Sequence, residues 1–140
     1  LFSVTLFHHQ VRLALIDTEP SAIISGDENR LLQVFANLLS NAIKYSPAHG
    51  QVSVTIQQYQ QHVRISVKDE GSGIPEAFRS QIFQRFAQAD SSDTRAKGGT
   101  GLGLSITKAI VERHEGLINY DSQVGQGTVF YAEFPLWQQD

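Results

Sequence analysis

The sequence contains no cysteine, no long hydrophobic run and no cluster of basic residues. The lack of cysteine excludes disulfide bonds and thiolate metal sites, and it is compatible with a reducing compartment. No apolar stretch is long enough to cross a bilayer, and no signal peptide is visible. Because the formal net charge is −3, we do not expect binding to nucleic acid or to an anionic membrane through a broad basic surface.

The 140 residues are enough for one domain with one hydrophobic core. They contain no internal repeat and no low-complexity tract. The first residue is Leu1 and not Met, so we interpret the chain as a fragment of a longer protein. We therefore expect a single domain over residues 1–140.

The segment DENRLLQVFANLLSNAIKYSP, residues 27–47, predicts one long helix. Asp27 is a good N-cap, and Pro47 ends the helical pattern. At about 100° per residue the side chains separate into two faces. The apolar face, which we expect to be buried, comprises Leu31, Leu32, Phe35, Leu38, Leu39, Ala42 and Ile43. The polar arc comprises Arg30, Gln33, Asn37, Ser40, Asn41 and Lys44.

The polar arc has an unusual composition. Asn37, Asn41 and Lys44 form a row with spacing i, i+4, i+7, although Asn is a poor helix former in a helix interior. Amide oxygens coordinate hard cations, and a lysine neutralises phosphate. From this helix alone, a solvated face and a metal–phosphate site are equally good interpretations.

The remaining pattern mixes strands and helices. Alternating apolar and polar residues predict strands over 11–16, 52–57, 63–68, 117–121 and 128–134, with a short strand over 22–25. Helical spacing predicts a helix over 100–115, a short amphipathic segment over 81–87 and the tail of an upstream helix over 1–10. This order predicts an α/β (α+β) two-layer sandwich, in which helices cover one face of a mixed, mostly antiparallel sheet.

The first glycine-rich stretch is DEGSGIP, residues 69–75, directly after a predicted strand. The carboxylate of Asp69 is an acceptor-only group that suits the exocyclic amine of a base. Gly71 and Gly73 would let the backbone approach a flat ring closely. An ordinary turn after a strand is the alternative interpretation.

The second stretch is KGGTGLGL, residues 97–104, which has four glycines within six positions before a predicted helix. These glycines expose backbone amides at a helix N-terminus, where an anion is favoured. Glycine costs a helix about 1 kcal/mol relative to alanine, so Gly101 and Gly103 indicate close approach of a ligand; a flexible linker is the alternative. Neither stretch matches a dinucleotide fingerprint or a Walker loop.

Together these motifs resemble the ATP-binding catalytic domain of sensor histidine kinases, within the GHKL ATPase superfamily. DENRLLQVFANLLSNAIKYS is similar to the N box, DEGSGIP to the first glycine box and IFQRFAQAD to the F box. GGTGLGLSI is similar to the second glycine box, and GQGTVF to the last glycine motif. The five motifs occur in the family's order and span residues 27–130.

The resemblance implies a role for each matching residue. Asn41 would ligate Mg²⁺, Asn37 would support that site, Lys44 would contact phosphate, and Tyr45 would pack near the sugar or phosphates. Asp69 would bind the adenine amine. The other implied ATP contacts are Gly71, Gly73, Ile74, Phe83, Phe86, Lys97, Gly99, Thr100, Gly101, Leu102, Gly103, Leu104 and Thr128. Phe83 and Phe86 would anchor a lid over about residues 87–99.

Two positions depart from the pattern. Asn37 stands where the hydrolysing members of the superfamily carry a general-base glutamate, and an amide cannot take a proton from water near neutral pH. Gln88 stands where many members carry an arginine that reaches the γ-phosphate. The cations that could replace it are Arg85, Arg95 and Lys97, and the sequence does not choose between them.

The implied activity is that of a protein histidine kinase, which transfers the γ-phosphoryl group of Mg-ATP to a histidine on a dimerisation domain outside this chain. None of the five histidines, His8, His9, His49, His62 and His114, lies in a phosphoacceptor context, so we interpret them as structural or surface residues. The implied partners are the protein's own upstream phosphoacceptor domain and a response regulator receiver domain, in a homodimeric parent.

The resemblance also implies a cytoplasmic domain, whose parent can be an inner-membrane sensor. Two alternatives stay open. The first is a non-catalytic, nucleotide-sensing regulatory domain, which the substitution at Gln88 keeps open. The second is an ATPase that hydrolyses ATP for conformational work, and Asn37 argues against it.

Overall fold

The computed structural model describes residues 2–6, 11–17, 23–84 and 103–137. Its strands are β1 (Phe2–Leu6), β2 (Val11–Asp17), β3 (Gln51–Tyr59), β4 (His62–Asp69), β5 (Leu117–Gln123) and β6 (Gly127–Pro135). Its helices are α1 (Glu28–Tyr45) and α2 (Gly103–Arg113), with a 3₁₀ helix at Glu76–Gln81. The predicted hairpin, the long helix and the two C-terminal strands are confirmed.

The strands form one sheet in the order β1-β2-β3-β4-β6-β5. Only the β2–β3 pair is parallel among the described strands, because α1 lies between them in sequence and carries the chain across. Helix α1 packs over β3 and β4, α2 packs over β5, and the two helices contact each other. The predicted mixed, mostly antiparallel sheet with helices on one face is therefore confirmed.

Helix α1 begins and ends where its sequence indicates. The Asp27 side chain accepts a hydrogen bond from the backbone N–H of Arg30 at 3.2 Å, which satisfies one of the free donors of the first turn. The helix ends at Tyr45, and the N–H of Ser46 donates to the Ala42 carbonyl at 3.0 Å just before Pro47. None of the described helices combines the length and apolar character needed to cross a membrane.

The buried stripe of α1 differs from the predicted apolar face at two positions. It is centred on Leu31, Val34, Leu38 and Ala42, all of which are buried. Val34, which we did not assign to this face, is fully buried, whereas Leu32 is 55% exposed. The prediction for Leu32 was wrong because it projects about 100° from Leu31 around the helix, at the edge of the stripe that faces the sheet.

Cross-strand register places the core in one row. Val63 lies opposite Phe134 and Val67 lies opposite Phe130 on β4 and β6, and all four side chains are buried. The alternation of side chains continues this row to the end of β4, where Asp69 lies opposite Thr128. The row of buried apolar pairs therefore ends in one buried polar pair, Asp69 and Thr128.

Two predictions near the N-terminus were wrong. Residues 2–6 form strand β1, paired with β2, and are not the tail of a helix; the β-branched and aromatic residues of this segment favour a strand once a neighbouring strand is available. Residues 23–25 form no strand. There the Ile23 carbonyl accepts a single backbone hydrogen bond from Trp137, at 2.8 Å.

Candidate functional site

Asp69 is a buried carboxylate at the carboxyl end of β4. Its side chain is 4% exposed and accepts a hydrogen bond from the N–H of Gly71 at 2.8 Å. Burial raises the pKa of Asp69 above its ordinary value of 3.8, and hydrogen bonds from the backbone of Gly71 and Thr128 only partly oppose that rise. Burial therefore disfavours the ionised carboxylate, and a further hydrogen-bond donor such as an amine would stabilise it.

A set of hydrogen bonds clamps the segment after β4 to the β5–β6 hairpin. Ser122 Oγ accepts from the N–H of Ile74 at 2.7 Å and lies 2.9 Å from the hydroxyl of Thr128. The Arg79 guanidinium donates to the carbonyls of Ser122 at 2.9 Å and Ile74 at 3.2 Å. Ile74 itself is buried. The loop that follows Asp69 is thus held in a fixed position beside Thr128.

The two glycines of this loop are required by contacts within the protein. A Cβ at Gly71 would lie 2.5 Å from the carbonyl oxygen of Tyr45, at the end of α1. Gly73 has φ +84°, and a Cβ there would lie 2.5 Å from the carbonyl oxygen of Gln123. The sequence suggested close approach to a ligand, whereas the structure shows close approach of α1 and of β5. These contacts join the Asp69 loop to the end of the helix that carries the polar arc.

The asparagines of the polar arc have different surroundings. The Nδ2 of Asn37 donates to Thr107 Oγ1 at 3.1 Å and lies 3.4 Å from the carbonyl of Gly103, so it connects α1 to the first turn of α2. Asn41, one turn along, is half-buried, and within the described residues its side chain makes no hydrogen bond. Its amide oxygen is therefore the better placed of the two for a ligand.

Lys44 and Tyr45 complete the row at the end of α1. The ammonium nitrogen of Lys44 lies 5.5 Å from the centroid of the Tyr45 ring, which is within cation–π range. Both side chains are half-buried. The end of α1 therefore brings a cation and an aromatic ring next to the loop closed by Gly71.

The donor set fits a magnesium ion held together with phosphates. Among the described residues, no group of three or more His, Asp or Glu side chains could form a metal cage. Mg²⁺ is usually held by one or two protein oxygens plus phosphates and water. The amide of Asn41 is sufficient for that role.

Gly103 differs from the glycines of the Asp69 loop. Apart from its chain neighbours and the backbone of its own helix, no atom of the described residues lies within 4 Å of where its Cβ would be. Packing against the described residues therefore does not explain the glycine at the first position of α2. An open approach to the first turn of α2 fits the predicted phosphate contact.

Phe83 is anchored on the sheet. Its ring centroid lies 6.2 Å from that of Tyr120 and 6.3 Å from that of Phe130, and the ammonium nitrogen of Lys108 lies 5.6 Å from it. This packing fits the predicted role of Phe83 at the root of the lid. Leu104 is partly buried against the core at the start of α2.

Part of the predicted site lies outside the described residues. The affected ATP contacts are Phe86, Lys97, Gly99, Thr100, Gly101 and Leu102. The lid and the cations considered for the γ-phosphate lie in the same interval.

Three side chains that organise the site were not found from the sequence. Arg79 and Ser122 act across 43 residues of sequence, and no local pattern connects them. Thr107 could have been found from the sequence, because it carries a hydroxyl on the apolar face of α2, next to Ile110 and Val111 in the core.

His114 was correctly interpreted as structural: its Nε2 accepts from the Asp27 N–H at 3.0 Å at the start of α1.

A surface groove between α1 and α2 does not have the chemistry of this site. Its volume is about 280 Å³, and it is lined by Arg30, Ile106, Ala109, Ile110, Arg113 and His114. This lining holds no carboxylate or amide side chain that could read a base or ligate magnesium. The groove is therefore not the predicted nucleotide site.

Comparisons of sequence identify similar proteins. The model of the family described as histidine kinase-, DNA gyrase B-, and HSP90-like ATPase matches residues 26–138. The sensor histidine kinase AruS of Pseudomonas aeruginosa is 46% identical over 116 residues, covering 79% of this chain and 12% of AruS. The circadian input-output histidine kinase CikA of Synechococcus elongatus is 43% identical over 113 residues, covering 81% of this chain and 15% of CikA. The chain spans less than a sixth of either relative.

Solved structures agree with the sequence comparisons. Full-length ShkA in complex with AMPPNP matches with a TM-score of 0.80 and 32% identity, covering 93% of this chain and 26% of ShkA. The histidine kinase ThkA in complex with response regulator protein TrrA matches with a TM-score of 0.73 and 29% identity, covering 92% of this chain and 35% of that chain. Both similarities extend over nearly all of the present fold.

Proposed function

The chain belongs to the histidine kinase-, DNA gyrase B-, and HSP90-like ATPases and corresponds to the ATP-binding catalytic domain of sensor histidine kinases, and we propose that it transfers the γ-phosphoryl group of Mg-ATP to a histidine outside this chain. The observation that carries the proposal is Asp69, a buried carboxylate at the end of the core row. In this proposal residues 1–140 form one catalytic domain, with a lid over about 87–99.

Adenine is bound at the Asp69 end of the site. The carboxylate accepts a hydrogen bond from the exocyclic amine, Thr128 lies beside it, and buried Ile74 offers an apolar surface to the ring. Gly71 and Gly73 shape the loop through their contacts with α1 and β5. The AMPPNP bound in the structural relative ShkA supports an adenine nucleotide as the ligand.

The triphosphate lies toward the polar arc of α1. Asn41 holds Mg²⁺, Asn37 supports that site, Lys44 contacts phosphate, and Tyr45 packs near the sugar. The bound ion supplies charge neutralisation to the phosphates. The glycine-rich segment supplies further contacts from Lys97, Gly99, Thr100, Gly101, Leu102, Gly103 and Leu104, beneath a lid anchored by Phe83 and Phe86.

The surroundings of Asn37 favour phosphoryl transfer over hydrolysis. Its amide nitrogen donates to α2, and an amide has no basic group that could take a proton from water. Transfer to an external nucleophile depends mainly on positioning and charge neutralisation. The described site offers groups for positioning and for charge neutralisation, and it has no general base at the position of Asn37.

The acceptor histidine and the partners lie in other domains or chains. We propose that the acceptor is on the parent's own dimerisation domain, and that the parent is a homodimeric sensor whose catalytic domain lies in the cytoplasm. The complex of the relative ThkA with response regulator protein TrrA supports a receiver domain as the next acceptor of the phosphoryl group. No nucleic-acid partner is proposed.

The proposal is tested by reconstituting the two halves. The chain is mixed with radiolabelled Mg-ATP and with the preceding segment of its parent, and acid-labile, base-stable label is measured on each polypeptide. We expect phosphohistidine only on the preceding segment, and much less of it when Asp69→Asn or Asn41→Ala replaces the wild-type chain at a subsaturating ATP concentration. The chain alone is expected to stay unlabelled.

Two outcomes contradict the proposal in different ways. Label on the chain alone would show that one of its own histidines is an acceptor. Tight Mg-ATP binding without transfer to the preceding segment would support a nucleotide-sensing regulatory domain instead. Asp121→Asn serves as the charge-matched control, because Asp121 is exposed and the alternation of side chains along β5 places it on the opposite face of the sheet from Ser122.

A further inference from the structure

Thr107 places a hydroxyl group in the apolar core of the protein. Its side chain on α2 has no exposed surface and is part of the helix face that contributes Ile110 and Val111 to the core. A buried hydroxyl is costly unless it is hydrogen-bonded. Thr107 Oγ1 donates to the carbonyl of Gly103, one turn earlier in the same helix, at 2.7 Å.

The second contact of this hydroxyl reaches the other helix. Because its only hydrogen is directed to the Gly103 carbonyl, Oγ1 can act toward Asn37 only as an acceptor. The amide Nδ2 of Asn37 donates to it at 3.1 Å and lies 3.4 Å from the Gly103 carbonyl. That carbonyl cannot donate, so nitrogen is the amide atom that faces α2. The Oδ1 of Asn37 is the atom left for a ligand.

We infer that Thr107 is a positioning residue for the metal–phosphate end of the site, acting through the Asn37 amide and the Gly103 carbonyl. Its hydroxyl fixes the amide with the nitrogen toward α2, so that the oxygen is presented to a bound magnesium ion or its water. The same hydroxyl fixes the first residue of α2, where the glycine-rich segment joins the helix. This inference rests on the proposed binding of Mg-ATP.

A purely structural role predicts something different. If Thr107 only filled space, Thr107→Val would be at least as stable as the wild type and would bind ligands equally well, because valine has nearly the same shape and no hydroxyl to satisfy. If the hydroxyl orients Asn37, valine will weaken only ligands that use the metal–phosphate end. Thr107→Ser keeps the hydroxyl, and it is the matched variant that should retain that binding.

The experiment measures the affinities of Mg-AMPPNP and of adenosine by calorimetry for wild type, Thr107→Val and Thr107→Ser. We expect Thr107→Val to bind Mg-AMPPNP about fivefold more weakly, the size of one neutral hydrogen bond, while its affinity for adenosine is unchanged. Adenosine contacts only the Asp69 end, so its retained binding also shows that the variant is folded. Thr107→Ser is expected to bind both ligands as the wild type does.

A double-mutant cycle with Asn37→Ala identifies the route of the effect. Thr107→Val should cause no further loss of Mg-AMPPNP affinity in the Asn37→Ala background, since the amide that it orients is gone. The inference is overturned if Thr107→Val binds Mg-AMPPNP like the wild type, if Thr107→Ser is equally impaired, or if the two losses add. Failure of the wild type to bind Mg-AMPPNP would overturn the proposed function, and with it this inference.

Discussion

Replacing Asp69 by asparagine separates recognition of the base from the rest of the site. The carboxylate accepts from the N–H of Gly71 and from the backbone of Thr128, and we propose that it also accepts from the adenine amine. Asparagine replaces one of the two acceptor oxygens with an NH₂ group, which can only donate, so a donor that faced the lost oxygen, from the backbone or from the amine, is left without an acceptor. A hydrogen bond to a charged group contributes about 1.5–3 kcal/mol, so ATP affinity should fall about 10- to 150-fold.

The assay compares three ligands on Asp69→Asn and on the control Asp121→Asn. Affinity for Mg-ATP should fall in Asp69→Asn, affinity for Mg-triphosphate should not change, and the preference for ATP over GTP should narrow. The preference narrows because guanine presents a carbonyl where adenine presents an amine, and the asparagine amide can donate to it. Equal binding of ATP and GTP by the wild type would refute the assignment of Asp69.

The same substitution has a pH signature in the absence of nucleotide. Because burial raises the pKa of Asp69 above 3.8, the folded state binds more protons than the unfolded state between 3.8 and the raised pKa. The free energy of unfolding of the wild type should therefore fall, relative to Asp69→Asn, as the pH rises through that window. Denaturant unfolding from pH 3.5 upward, sampled at about half-unit steps, measures this difference. If the free energy of unfolding of the wild type instead rises with pH relative to Asp69→Asn, the backbone hydrogen bonds have a larger effect on the pKa of Asp69 than burial has.

Further predictions test the metal site, the loop and the core. Asn41→Ala should lower ATP affinity at least about tenfold with Mg²⁺ present, from the loss of a charge-assisted contact, and should have no effect in EDTA; equal loss in both conditions would refute the metal role. Gly73→Ala should destabilise the protein by about 1–3 kcal/mol more than Gly125→Ala, since both have φ +84° but only the Gly73 Cβ would meet backbone. Equal losses in denaturant unfolding would show that the Gly73 contact is unimportant. Leu38→Ala should cost about 2.7–5 kcal/mol, whereas Leu32→Ala, at a 55% exposed position, should change stability by about 0.5 kcal/mol or less; similar costs would contradict the assignment of the buried stripe.

The sequence predicted the elements whose signals are local. Asp27 and Pro47 correctly marked the two ends of α1, because capping and proline chemistry act within a few residues. The alternating apolar and polar residues predicted the β3–β4 hairpin and the two C-terminal strands. Strand β1 was misassigned because its weak helical spacing is overridden by pairing with β2, a tertiary contact that no local pattern contains.

In the site as well, residues with a local sequence signal were predicted, whereas no local pattern indicated those that depend on tertiary contacts. Asp69 could be singled out because a carboxylate at a strand end before a glycine pair is a local signal. The position of Thr128 beside Asp69 depends on strand register, so the family resemblance indicated Thr128 and no local pattern did. The clamp by Arg79 depends on contacts across 43 residues and was not predicted. Gly71 and Gly73 have a further reason that the sequence did not indicate, because backbone of α1 and β5 of the same chain approaches them closely.

The most direct test of the central claim is a crystal structure with AMPPNP and Mn²⁺, which gives an anomalous signal at the metal position. We expect an anomalous peak beside Oδ1 of Asn41 and the adenine amine within hydrogen-bonding distance of the Asp69 carboxylate. A metal peak away from α1, or an adenine ring bound elsewhere, for example in the groove beside Ile106 and Arg113, would contradict it.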